Sequence, residues 1–197
     1  MSFDFDLAKR LGDAEIVCRV EPGDGLTVLF GPSGAGKTTV LNMVAGLVTP
    51  DRGHVCVGGE TLFGEGIDLP PEQRRAGYVF QEARLFPHLR VRANLLYGAS
   101  DDASLETIEF LGLGALLDRW PRTLSGGEAK RVAIGRALLS GPAFLLLDEP
   151  LSSLDRARRE EIMVVIEQLR DDANLPILMV THDRAEAERL GTRIVEM

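Results

Sequence analysis

The stretch LTVLFGPSGAGKTTVLNMVAG, residues 26–46, joins a β-rich apolar run to a helical one through a loop holding Gly31, Gly34 and Gly36. Residues 31–38 fit the pattern GxxxxGK[ST] at every specified position. The strand before the loop and the helix after it are the context that gives this pattern its meaning. Glycines let a backbone wrap a phosphate chain in conformations that a Cβ would obstruct. The loop Gly31, Pro32, Ser33, Gly34, Ala35, Gly36 is therefore read as a phosphate cradle. Lys37 is expected to reach the β and γ phosphates, Thr38 to ligate Mg²⁺ through its hydroxyl, and Thr39 to add a contact to the α phosphate. A glycine-rich turn that binds nothing is the competing reading, and the matching flanks weigh against it.

Outward from this loop, residues 3–30 read as short strands: FDFDL, EIVCRV, then the turn EPGDG before LTVLF. The helix after the loop is expected from about residue 37 to 46, followed by a strand at HVCVGG, a loop at PPEQRR and a strand at AGYVF. Between about residues 81 and 139 the texture becomes helical, with ANLLYG, SLETIEFLGL, ALLDRW and GGEAKRVAIGRALL. Strand and helix alternate again through AFLLLDEP, a helix over roughly 156–172, PILMVTH, RAEAERL and TRIVEM. Such alternation implies a mostly parallel sheet with helices on its faces. The expected architecture is one α/β domain over 1–197, with an antiparallel β portion near the N-terminus and a helical subdomain inserted at approximately 81–139.

A chain of 197 residues with 45% hydrophobic and 26% charged residues is long enough to bury a core. Its formal charge of −8 argues against a nucleic-acid groove, so no nucleic acid is expected among its partners. No apolar run approaches the roughly 20 residues that span a bilayer, so work at a membrane would need a partner. Cys18 and Cys56 lack CxxC spacing and read as two buried thiols of a reducing compartment.

Two further stretches carry chemistry. AFLLLDEP ends an apolar run in Asp148 and Glu149, and a buried parallel strand delivers its C-terminal end to the ligand crevice. Adjacent strand residues point to opposite sides, so the carboxylates can divide the work. Asp148 is placed to hold the Mg²⁺ shell, and Glu149 is the candidate base that orients and polarises a water. LSGGEAKR, residues 124–131, opens another helix with free N–H groups, a second anion-binding start.

With LSGGE, LLLDEP and VTH in this order, the chain resembles the nucleotide-binding domain of ABC ATPases over nearly all its length. The resemblance implies ATP and Mg²⁺ as ligands. It makes 124–127 the signature motif, with Ser125, Gly126 and Gly127 donating to the nucleotide of a second copy in a head-to-tail homodimer that holds ATP at its interface. It makes Gln81 the glutamine that senses Mg²⁺ and the attacking water, Asp155 part of the loop 151–155 near the nucleotide, and His182 the contact to the γ phosphate. Taken singly, Asp155 would read as a helix cap, Gln81 as a loop residue and His182 as structural. His54, His88 and Trp120 read as structural or surface residues.

The segments ARLFPH and VRANLLYG, with Glu128 after the signature, are similar to solute-importer ATPases, molybdate importers most of all. Sulfate, sugar, metal and polyamine importers stand behind. That likeness implies ATP hydrolysis coupled to uptake, at the cytoplasmic face of the inner membrane, with transmembrane permease subunits and indirectly a periplasmic solute-binding protein. Arg84, Arg90 and Arg92 are candidates to dock the permease. A soluble ABC ATPase outside transport fits less well, lacking the coiled-coil heptads or the second ATPase domain such proteins carry. The family's adenine-stacking aromatic aligns with Leu11 here, with Phe3 or Phe5 as substitutes. Importer ATPases of this group often continue into a regulatory domain.

Overall fold

A computed structural model describes residues 2–172 and 175–197. Its ten strands among these residues form two five-stranded sheets. The first is antiparallel and runs β2 (Ala14–Val20), β1 (Phe3–Leu11), β4 (Arg52–Val57), β5 (Glu60–Gly64), β6 (Ile67–Asp68). The second is wholly parallel, in the order β10 (Arg193–Glu196), β3 (Leu26–Phe30), β9 (Ile177–Thr181), β8 (Phe144–Asp148), β7 (Ala76–Val79).

The central parallel strands β3, β8 and β9 are buried along nearly their whole length because both faces of the sheet are covered there. Along β8, Leu145 and Leu147 join one core with α3 (Gly126–Leu139), α4 (Arg156–Asp172) and α5 (Arg184–Leu190). Phe144 and Leu146 point the other way, into a second core with α1 (Lys37–Ala45) and the antiparallel sheet. The period of two along one strand thus separates the two cores.

The α/β class holds as expected, and the antiparallel sheet is larger than an N-terminal reading implies. Its strands β4, β5 and β6 follow α1 in the chain, and the hairpin of β5 and β6 carries no long apolar run to announce it. Helix α1 occupies its expected span and ends at Gly46, whose φ of 79° supplies the left-handed cap. Residues 81–139 contain no strand, yet they are less α-helical than expected. Only α2 (Val91–Leu95) and α3 are α-helices there; SLETIEFLGL and ALLDRW become 3₁₀ turns over Leu105–Leu111 and Gly114–Leu116. Ile108 breaks the first turn (φ −116°, ψ 18°) and Gly112 ends it in the left-handed region.

Cys18 is buried, and Cys56 is only half-buried; both thiols are free, on β2 and β4 to either side of β1. No helix among the described residues is long and apolar enough to cross a membrane.

Candidate nucleotide site

Four parallel strands end on one edge, and the loops that follow them build the site. Parallel order forces this convergence, because every strand delivers its C-terminus to the same side. After β3 comes the loop 31–36, then α1. Gly34 and Gly36 take φ of 87° and 91°, which side chains other than glycine resist. Gly36 is also the point where a Cβ would lie 2.7 Å from the Ile16 side chain on β2. Lys37 is buried, and its ammonium donates to the carbonyls of Gly31 and Pro32, each at 2.8 Å. Thr39 follows on α1, half-buried.

After β8, Asp148 is buried and accepts a 2.8 Å hydrogen bond from the exposed Thr38 hydroxyl. Burial pushes its carboxyl above the ordinary value, while the Thr38 bond pulls it back. Two oxygen donors, one of them a carboxylate, suit Mg²⁺, which takes one or two carboxylates and completes its shell with water and substrate phosphates. Among the described residues there is no cluster of three His, Cys, Asp or Glu side chains, so nothing like an all-protein metal cage competes with this arrangement.

Glu149 leaves the strand in the left-handed region, with φ of 43°. For a non-glycine residue this is an uncommon conformation of the kind that gathers at functional sites. The turn aims the carboxylate at two neighbours. Gln81, two residues beyond β7, donates from Nε2 to Oε2 at 3.3 Å; His182, directly after β9, lies with Nδ1 3.2 Å from Oε1. Three residues far apart in sequence thus meet on one carboxylate. They line a polar cleft of about 350 Å³ together with Ser33, Ser152 and Ser153. Arg159 on α4 pairs there with Asp183 (3.3 Å) and Glu186 (3.7 Å), and buried Glu186 accepts from Thr181 at 2.5 Å. Burial pushes the Glu186 carboxyl up.

The start of α3 stands apart. Among the described residues no hydrogen bond joins 124–127 to 31–39. Ser125 caps the helix: its Oγ accepts from the Glu128 N–H (3.3 Å), and Glu128 Oε2 accepts from the Ser125 N–H (2.7 Å). This reciprocal box leaves the N–H groups of Gly126 and Gly127 without a partner in the helix. Both glycines lie against the segment that opens α4: a Cβ on Gly126 would meet Leu154 at 3.2 Å, and one on Gly127 would meet Arg158 at 3.3 Å.

Asp155 behaves as a helix cap, accepting from the Arg158 N–H (3.0 Å) and pairing with its guanidinium (2.8 Å). Phe3 and Phe5 cannot stack on a base, because both are sealed in the core under the antiparallel sheet and Phe3 packs edge-on against Phe144. Leu11 is 47% exposed at the end of β1. His54 is an exposed partner of Asp4, and His88 sits edge-on to Phe86. Trp120 receives Arg90 over its ring at 4.9 Å. Lys130 has a place in this site that sequence reasoning did not assign it. Lys130, on α3, is 5% exposed and donates to the carbonyls of Phe80 (3.3 Å) and Gln81. Burial pulls its ammonium down to about 8, against the attraction of Asp148 and Glu149.

The phosphate loop, the acidic strand end and the capped LSGG helix define a nucleotide-binding cassette. Residues 16–152 match the ABC transporter family, and the chain belongs to it. Among curated proteins it is 50% identical to the molybdenum import ATP-binding protein ModC of Mesorhizobium japonicum, matching 99% of this chain and 55% of that protein. It is 52% identical to the protein of that name from Paramagnetospirillum magneticum, over 98% of this chain and 56% of the relative. The chain thus spans about half the length of the curated relatives it matches. Among solved structures, a dimeric ATP-binding cassette in a post-hydrolysis state with ADP and Pi superposes with a TM-score of 0.77 at 27% identity, covering 99% of this chain and 94% of that one.

Proposed function

We propose that this chain is the ATP-binding and hydrolysing subunit of an ABC importer and that molybdate, or a related oxyanion, is the solute. The observation that carries the ATPase reading is the convergence of Gln81 and His182 on Glu149, beside the Thr38–Asp148 pair. The solute rests on the relatives named for molybdenum import. In this reading the domain is 1–197, and 81–139 is its helical insert.

Loop 31–36 wraps the phosphates with backbone N–H groups, and Lys37 exchanges its carbonyl partners for phosphate oxygens. Thr38 and Asp148 would hold Mg²⁺, with Gln81 reaching its outer shell; the ion would neutralise charge between the phosphates. Glu149 takes the proton of the attacking water, and Gln81 fixes the water's position. His182, whose Nδ1 lies 3.2 Å from the Glu149 carboxylate, is placed to turn to the γ phosphate. The unpaired N–H groups of Gly126 and Gly127, with the Ser125 hydroxyl beside them and no hydrogen bond to the chain's own phosphate loop among the described residues, support a nucleotide held by a second copy. Each charge-assisted hydrogen bond there contributes about 1.5–3 kcal/mol, enough together to favour a closed head-to-tail dimer. Exposed Leu96 and Tyr97, with Arg84, Arg90 and Arg92, form the surface offered to a permease at the cytoplasmic face of the membrane.

The test is Glu149→Gln. ATP binding should persist, hydrolysis should fall by roughly 10²-fold or more, and an ATP-bound dimer should accumulate on gel filtration. Normal turnover would remove Glu149 as the base. ATP-driven molybdate uptake into permease-containing vesicles, set against sulfate, decides the solute.

A further inference from the structure

The two groups of residues that would serve different nucleotides in such a dimer are linked within one subunit by a buried side chain. Helix α3 begins with the signature donors, Ser125, Gly126 and Gly127. Five residues after Ser125, Lys130 sends its ammonium across to the loop that follows β7, where it donates to the carbonyls of Phe80 and Gln81. The side chain of that same Gln81 donates to Glu149, which in turn holds His182. A continuous path therefore runs from the signature helix through Lys130 to Gln81, Glu149 and His182.

We propose that Lys130 is a positioning residue that couples the two nucleotide sites, making the Gln81–Glu149 pair of one site follow the signature helix engaged at the other. This rests on the head-to-tail ATPase reading above. The capping box makes the first turn of α3 rigid, and Ser125 and Lys130 are separated by only about 7.5 Å along the helix axis. A shift of the helix start is thus carried to the ammonium with little loss. A buried ammonium cannot abandon its acceptors without a large desolvation cost, so the Phe80 and Gln81 carbonyls must move with it. Arg136 further along α3 holds the carbonyls of Ala83 (3.3 Å) and Arg84 (3.0 Å), which anchors the downstream part of the loop and leaves Gln81 itself to Lys130. A methionine at 130 would fill the same volume with no donor. A glutamine would restore two donors on a shorter arm.

The experiment follows ATPase rate against ATP concentration for the full chain, its Lys130→Met and Lys130→Gln variants, and Glu149→Gln as a control. Two coupled sites give the parent chain a Hill coefficient approaching about 2. Lys130→Met should bring it close to 1 and lower the maximal rate about tenfold, with binding of a fluorescent ATP analogue kept within about twofold; Lys130→Gln should recover part of the coefficient. A parent curve without cooperativity, or a Lys130→Met curve as steep as the parent's, overturns the coupling role while leaving the ATPase reading intact. If Lys130→Met fails to fold, Lys130→Gln decides instead: a curve shallower than the parent's supports the coupling, and one equally steep overturns it. Absence of ATP hydrolysis in the parent chain would instead defeat the ATPase reading, and the coupling with it.

Discussion

Arg74 offers a quantitative test of what holds the phosphate-loop helix in place. Its side chain is completely buried and directs its donors to one junction. Nε donates to the Leu69 carbonyl (2.7 Å), Nη1 to the carbonyls of Met43 (2.9 Å) and Val44 (3.1 Å), and Nη2 to Asp68 (2.9 Å). Met43 and Val44 are in the last turn of α1, where carbonyls lack partners within the helix and a cation is favoured. Arg74→Met keeps most of the volume and removes every donor. The Met43 carbonyl retains the Gly46 N–H, and the Asp68 carboxylate, 48% exposed, turns to water. The carbonyls of Val44 and Leu69 have no other partner among the hydrogen bonds of the described residues. At about 1–3 kcal/mol for each unsatisfied buried group, the expected loss is about 2–6 kcal/mol. For a chain of this size each kcal/mol moves the melting midpoint by about 2–4 °C, so a fall of roughly 10 °C is expected. Urea unfolding followed by far-UV circular dichroism measures the free energy directly. A variant within about 0.5 kcal/mol of the parent would refute the claim that the guanidinium satisfies this junction.

The thiols give a second check: burial, with Asp6 nearby, pushes Cys18 up to about 12, so at pH 8 a thiol reagent should leave it untouched while labelling half-buried Cys56, and unfolding should release the second equivalent. Glu128 tests the capping box through pH. The Ser125 N–H and hydroxyl hold its carboxyl below the ordinary value, so its contribution is complete above about 4.5 and fades as pH falls through the lowered value. Glu128→Ala should therefore cost about 1 kcal/mol at pH 7, and the gap to the parent should close in acid. A gap that stays constant with pH would show that the ionised carboxylate is not what caps α3.

Much of this molecule is local in origin and could be read without coordinates. The span 26–46 carries its own strand, its left-handed glycines and its helix stop at Gly46, because each depends on backbone preferences a few residues long. The buried strand at residues 144–148 announces itself by an unbroken apolar run. What no short stretch contains is the meeting of distant ends. Gln81, Glu149 and His182 come together only because β7, β8 and β9 lie in parallel and finish on the same edge. The left-handed turn that swings Glu149 toward them departs from the alternation expected of a strand. Phe3 and Phe5 look available beside the first turn until the antiparallel sheet closes over them, and PPEQRR reads as a polar loop until Arg74 is found inside the protein. Lys130 shows the same limit: a lysine on a helix reads as solvated surface, and only the packing of α3 against the loop after β7 decides that its charge is buried and bonded. Backbone propensity acts over a turn or a strand, whereas burial and charge pairing depend on which segments the fold brings together.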